Sequence, residues 1–348
     1  MLRDRDAPVT REGIVLRVYG YDHPPSKYIC DVEYAPETLF KSPMPKALRD
    51  GGPVKYYKFY EDEGLRFVLE RYPQYTTLLK PLGLRVVAVS EEEVAEVRDP
   101  QKGLLKLVEK GDPMSKAVEE LLQVVEGSSK LTYKCFGVFG SLLHDFYRVD
   151  LSDLDFTVYG MSELKELREV LSELYSEGSL RNEFEVVDSS KFSRWRFKNY
   201  TLGEYVYHQW RKLIYGVIES KSLGRPVKFE FEPVLKWDEI INEYSDDCEV
   251  ECLGFVEALV EVVDDRYSPF MPSKYGVELV ELISGFRDAN PTRVVSYVEE
   301  FRMQLFEGEV GFVAGWLEEV RCGGRSFQQI VLTRRERYYD QVLKLVRG

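Results

Sequence analysis

Two acids one residue apart, Asp153 and Asp155, interrupt an apolar run in Leu151-Ser-Asp-Leu-Asp-Phe-Thr-Val-Tyr159, and this feature restricts the fold more tightly than any other. Side chains of a strand alternate between its faces. Read as a strand, the run sends Leu154, Phe156 and Val158 to a core and leaves Asp153 and Asp155 together on the opposite face. Two bare carboxylates side by side repel each other. A hard cation such as Mg²⁺, which favours one or two carboxylates plus substrate phosphates, removes the conflict. Upstream, Tyr133 to Phe139 reads as a buried strand that ends at Gly140-Ser141. The missing side chain of Gly140 lets a phosphate approach the backbone, and the Ser141 hydroxyl can donate to it. A strand, a Gly-Ser turn and a second strand bearing two acids outline a site for a metal-bound nucleotide.

The order of apolar strand, Gly-Ser and then Asp-x-Asp on a second strand resembles the signature of the polymerase β-like nucleotidyltransferase superfamily. The resemblance implies that Gly140 and Ser141 hold the triphosphate of an NTP, and that Asp153 and Asp155 bind two Mg²⁺ ions, or Mn²⁺ in their place. It also implies a third carboxylate on a later strand, and Pro226-Val-Lys-Phe-Glu-Phe-Glu232 supplies one. There Lys228, Glu230 and Glu232 share one face, while Val227, Phe229 and Phe231 share the other. Glu230 is preferred as catalytic acid and metal ligand because Glu232 precedes Pro233 and is expected at the strand end; Glu232 stays open as the alternative. The runs Arg11 to Pro25 and Phe301 to Leu332 also look similar to an archaeal family of predicted nucleotidyltransferases, a likeness that extends over nearly the whole chain. The implied reaction moves a nucleotidyl group from an NTP to a hydroxyl and releases pyrophosphate. RNA 3′ ends, a protein hydroxyl and a small metabolite would all suit such a site as acceptor. His144 is read as structural, since two-metal chemistry needs no separate base. No Gly-Lys-Ser/Thr follows any glycine turn, which excludes a P-loop.

A net charge of −13 by itself argues against nucleic-acid binding, whose affinity is dominated by phosphate contacts. The local charge differs. From Lys191 to Lys228 the chain carries Arg194, Arg196, Lys198, Arg211, Lys212, Lys221 and Arg225, and the only acids in between are Glu204 and Glu219. Aromatics including Trp195, Phe197, Tyr200, Tyr205 and Trp210 are interleaved with these cations, a composition suited to a triphosphate tail and a stacked base. Arg194, Arg196 and Lys198 alternate as one strand face would, which makes them candidate phosphate contacts. The alternative is a solvated face whose aromatic side lies in a core.

The chain, 348 residues long, reads as an α+β protein in three parts. Residues 1–110 form an α+β domain with a helix around Glu63 to Arg71; residues 111–245 form the nucleotidyltransferase core, a mixed sheet with helices on one side; residues 246–348 form a β-barrel-like domain comparable with the oligonucleotide-binding type. Asp112-Pro113, Ser162 and Thr201-Leu-Gly-Glu204 are the expected helix starts, the last helix running to about Ile218. Five scattered cysteines argue against a disulfide framework, and Cys248 and Cys252 read as buried free thiols rather than zinc ligands. The charged start and the lack of a long apolar run predict a cytoplasmic protein with no membrane partner. Richness in Glu, Arg, Val and Tyr leans towards a thermophile. Two other classes compete with the enzyme. One is an inactive nucleotidyltransferase fold serving as a nucleotide- or nucleic-acid-binding scaffold; the other is a metal-dependent phosphoesterase, for which the chain is short of histidine.

Overall fold

Three sheets form the framework of the protein in the computed structural model, which describes residues 1–80, 83–185, 192, 195–245, 247–332 and 337–346. The protein is of mixed α+β class and sheet-dominated. The first sheet is eight-stranded: β1 (Ala7–Thr10), β2 (Val15–Val18), β3 (Tyr28–Pro36), β4 (Leu48–Gly51), β5 (Val54–Lys58), β6 (Thr76–Leu79), β7 (Leu84–Val89) and β8 (Val94–Arg98). Alternation in its strands decides what each face meets. Leu16, Val18, Cys30 and Val32 pack with Phe67 and Val68 of helix α1 (Glu63–Arg71). Val9, Val15, Tyr34 and Tyr56 pack with Phe146 instead.

The second sheet runs β11-β12-β13-β10-β9, from β9 (Phe136–Val138), β10 (Leu154–Tyr159), β11 (Arg181–Asn182), β12 (Tyr215–Ser220) and β13 (Arg225–Val234). Only β10 and β13 are parallel neighbours in it. Its helices are α2 (Pro100–Val108), α3 (Pro113–Gly127), the single turn α4 (Gly140–Leu143) and α5 (Met161–Ser176). Asp112 caps α3 by accepting the Ser115 N–H at 2.8 Å, and Val118, Leu121, Leu122 and Val125 form the buried stripe that the spacing predicts. In α5 the stripe is Leu164, Leu167, Val170, Leu171 and Leu174. Its start departs from expectation: Gly160 holds the N-cap position, and the Met161 N–H goes to the Glu239 carboxylate at 3.1 Å rather than to Ser162. Tyr133–Cys135 is a 3₁₀ turn, so the strand before Gly140 begins only at Phe136. The helix opened by the Thr201–Glu204 capping box, α6 (Leu202–Trp210), stops well before Ile218. Leu213 takes a left-handed φ of 54°, and the chain then re-enters the sheet as β12.

The first compact unit comprises Met1–Leu79, Gly83–Glu183 and Leu213–Asn242, and both sheets belong to it. The second comprises Lys80–Leu82, Phe184–Lys212 and Glu243–Gly348. It holds α6 and the third sheet, formed by β14 (Glu249–Asp264), β15 (Ser273–Ser284), β16 (Pro291–Ser296), β17 (Val310–Cys322), β18 (Arg325–Val331) and β19 (Val342–Leu345). Its pairings run β14-β15-β16-β18-β17 and return to β14, with β16 and β18 parallel and β19 added on β17. Val256, Ala258, Val260 and Val262 alternate into a core with Tyr275, Val294, Val313, Leu317 and Ile330. Gly323 and Gly324, both at positive φ, make the two-residue turn between β17 and β18.

Cys248 is bonded to Cys322 in a disulfide with a Cα–Cα distance of 4.4 Å, which overturns the free thiol expected there. Glu249 pairs with Arg321 across β14 and β17, so the next residues outward face each other. A separation of 74 residues hides that pairing from the sequence. Cys252, expected to be buried, is exposed. Among the described residues no helix is long and apolar enough to cross a membrane.

Candidate active site

Parallel pairing of β10 with β13 places Asp155 directly beside Glu230, and Thr157 beside Glu232. Neighbours in register share a face. Leu154, Phe156 and Val158 are fully buried on the other side, as the alternation predicts, so Asp155, Glu230 and Glu232 lie along one face of the sheet, while Asp153 falls just before β10 rather than within it. The Gly-Ser turn closes over this face. The Phe139 N–H donates to the Asp155 carbonyl at 3.1 Å, and Gly140 sits at φ +58°. A Cβ at Gly140 would come within 2.9 Å of the Asp155 carboxylate, so both backbone conformation and close approach require glycine there. Ser141 lies in the first turn of α4 and is half-buried.

Burial pushes the Asp155 carboxyl up to about 7; Lys58 opposes this, while Asp153, Glu33 and Glu232 add to it. A carboxyl raised in this way by burial, with acid neighbours beside it, is one that a nearby divalent ion would return to its charged form. Among the described residues no three His, Cys, Asp or Glu side chains are grouped so as to hold a metal ion. Asp153, Asp155 and Glu230 thus do not form a closed cage by themselves. This donor set fits Mg²⁺ arriving with a nucleotide, since that ion is usually held by one or two carboxylates plus phosphates rather than by an all-protein cage.

The two candidates for the third acid differ in surroundings. Glu232 is buried and ion-paired with Arg5 at 2.5 Å. β13 continues through Pro233 to Val234, so Glu232 does not end the strand as its proline neighbour suggested. Glu230 is half-buried, beside Asp155. The charged start of the chain, Arg3-Asp-Arg-Asp6, is itself buried, and Arg5 holds a left-handed φ of 70°. Nothing local announces this, because its partner Glu232 is 227 residues away.

No family model matches the chain, and no solved structure matches it. An archaeal relative does. The chain is 25% identical over 355 aligned residues, 99% of each chain, to a protein of Methanocaldococcus jannaschii described as uncharacterized protein MJ1086.

The eight-stranded sheet borders the same acids. The register of β2 with β3 passes from Val15↔Tyr34 to Leu16↔Val32, leaving Glu33 as the extra residue of a bulge. Bulges re-aim side chains. The Glu33 carboxylate meets His144 Nε2 at 3.1 Å, and the Arg98 guanidinium approaches Nδ1 at 3.1 Å. These partners assign a neutral imidazole that donates from Nε2 and accepts at Nδ1. Burial lowers the His144 pKa, and the ring ties the segment after the turn to both neighbours. For Glu33 burial acts upward, but the His144 hydrogen bond and the charges of Arg17 and Lys58 bring its pKa down to about 2. Arg5, Glu33 and Lys58 were all missed by the sequence reading; only the basic and aromatic run Lys55-Tyr-Tyr-Lys-Phe-Tyr60 could have drawn attention to Lys58.

Two of the three expected phosphate contacts are among the described residues. Arg194 lies outside the described residues. Arg196 and Lys198 belong to the second unit, where Arg196 donates to the Tyr339 hydroxyl at 3.3 Å and Lys198 pairs with Asp340 at 2.7 Å. Between them, Phe197 turns inward onto Phe301 with ring centroids 4.8 Å apart, as does Tyr200 onto the same core. The alternation is that of a solvated face with an aromatic underside.

Proposed function

We propose that the first unit is a nucleotidyltransferase core of the polymerase β-like type, which moves a nucleotidyl group from an NTP to a hydroxyl acceptor with release of pyrophosphate. The observation that carries this reading is the Asp155 carboxylate, packed against Gly140 of the turn and flanked in register by Glu230. Asp153 and Asp155 would hold Mg²⁺ or Mn²⁺ entering with the triphosphate, and the ion would supply charge neutralisation and a more acidic acceptor hydroxyl. Gly140 leaves the backbone open to the phosphates, and the Ser141 hydroxyl can donate to them. Glu232, already neutralised by Arg5, fixes β13 rather than serving as ligand, which leaves Glu230 as the third acid.

For the second unit we infer an oligonucleotide-binding-type barrel that receives a polymer acceptor, RNA first among them. Its strand circuit, numbered from β14 as first-second-third-fifth-fourth-first with third and fifth parallel, supports that reading. A cytoplasmic setting belongs to the same reading, and an intracellular disulfide fits a thermophile. A catalytically inactive scaffold on this fold is the second reading, favoured by the lack of a three-acid group among the described residues.

One assay separates them. The protein is incubated with each α-labelled NTP and Mg²⁺ or Mn²⁺, with total RNA, with itself and with small hydroxyl acceptors, alongside Asp153→Ala. Label transfer with pyrophosphate release that disappears in the variant is the expected result. Nucleotide binding without transfer to any acceptor would establish the scaffold.

A further inference from the structure

We propose that Lys58 is a phosphate-binding residue of the acid site, delivered by the eight-stranded sheet; the inference rests on the nucleotide reading given above. Lys58 ends β5 and stands directly opposite Tyr34 of β3, so the two side chains leave the same face of that sheet. Tyr56, two residues earlier, shares this face. The face is turned to the segment that follows the Gly-Ser turn. The Tyr34 ring lies 5.3 Å from His144 and 5.1 Å from Phe146, and the Tyr56 ring lies 4.8 Å from Phe146. The bulge adds Glu33 to the same neighbourhood, where it holds His144.

Charge in this neighbourhood is unevenly matched. Glu232 has Arg5, and Glu33 has His144 with Arg17 at 3.9 Å. Lys58 is half-buried, and among the described residues its ammonium has no ion-pair or hydrogen-bond partner. The next residue, Phe59, donates its N–H to the Glu33 carbonyl at 3.0 Å, which together with the Tyr34 pairing sets Lys58 beside the bulge that carries Glu33. A cation held near a carboxylate without pairing to it is available to a second anion. With a divalent ion held by the acids, the Lys58 ammonium would be available to the phosphates bound with it. Lysine suits this task, since it binds phosphate as a compact point charge on a flexible stem.

The test is calorimetric titration of the full chain with Mg²⁺ complexes of ATP, GTP, CTP and UTP, and with the monophosphate of whichever base binds. Lys58→Met, which keeps most of the stem, should weaken triphosphate binding about 10- to 100-fold, the range expected for one charge-assisted contact, and leave the monophosphate unaffected. Lys58→Arg should restore most of the affinity. Circular dichroism checks folding, and Lys58→Gln replaces the Met variant if that variant is unfolded. Unchanged triphosphate affinity, or an equal loss for triphosphate and monophosphate, overturns the role of Lys58 while the nucleotide site stands. A wild-type protein that binds no NTP overturns both.

Discussion

Arg5 and Glu232 form a buried pair at 2.5 Å, and what that pair does follows from the cost of leaving either charge alone. An ion taken from water and left without its partner is destabilising by about 3–5 kcal/mol, whereas an apolar pair in the same space is often neutral. Arg5→Met should therefore lower unfolding stability by about 3–5 kcal/mol, and Arg5→Met with Glu232→Met should recover most of the loss. Urea denaturation of the wild type, both single variants and the double variant measures the coupling. The cycle also bears on the site, because an unpaired Glu232 would add a full negative charge to the face that holds Asp155. If the double variant were no more stable than Arg5→Met, the pair would be incidental to β13, and Glu232 would return as a rival to Glu230.

Elements that depend on local periodicity were legible before the structure, and those that depend on long-range pairing were not. The face assignment of β10 needed only alternation, and the stripes of α3 and α5 needed only helical spacing. α6 was read too long because its aromatic composition suits helix and strand alike, and only the short link from Arg211 to Ile214, with Leu213 left-handed, separates it from β12. The acid pair and the turn could be found in one short stretch of sequence. Arg5, Glu33 and Lys58 could not, since each reaches the acids through the tertiary pairing of a separate sheet or through a bulge that leaves no mark in composition. The disulfide is the same kind of omission. It joins β17 to the residue preceding β14, closing a loop of 74 residues, for which chain entropy gives up to about 4 kcal/mol of stabilisation. Thermal unfolding with and without reductant should show the third sheet melting earlier when reduced. Thiol titration of the denatured, unreduced protein should find Cys30, Cys135 and Cys252 only. Finding all five cysteines titratable would remove the crosslink.

Across the whole molecule, the second compact unit holds a buried histidine that acid destabilises, whereas the first holds titrations of both signs, so acid should affect the two units differently. In the second unit His208 is buried, and burial, followed by the charges of Arg211 and Lys212, brings its pKa down to about 3. Its Nε2 accepts the Leu345 N–H at 3.3 Å, so the folded state needs the neutral ring. Since the folded pKa lies below the unfolded one, the stabilisation is complete above about pH 6.5 and lost as pH falls, by about 2 kcal/mol at pH 5. The first unit has its own neutral histidine, His23, brought down to about 4 chiefly by burial. It also buries Asp6, which burial pushes up to about 7, and Asp4, which burial raises. An acid with a raised folded pKa gains stability as pH falls from that value towards its unfolded pKa, which offsets the loss at His23 between pH 7 and pH 4. Trp237 belongs to the first unit, and Trp195, Trp210 and Trp316 to the second, so variants that keep one or the other set report the units separately. Denaturation followed by these tryptophans at pH 7.5 and pH 5 should show the second unit losing stability while the first holds. His208→Gln, which retains an acceptor for Leu345, should abolish most of the second unit's response. Equal acid sensitivity in both units would mean that Asp6 and Asp4 do not offset His23, and that the buried start of the chain, including the Arg5 that serves Glu232, is less firmly enclosed than its burial implies.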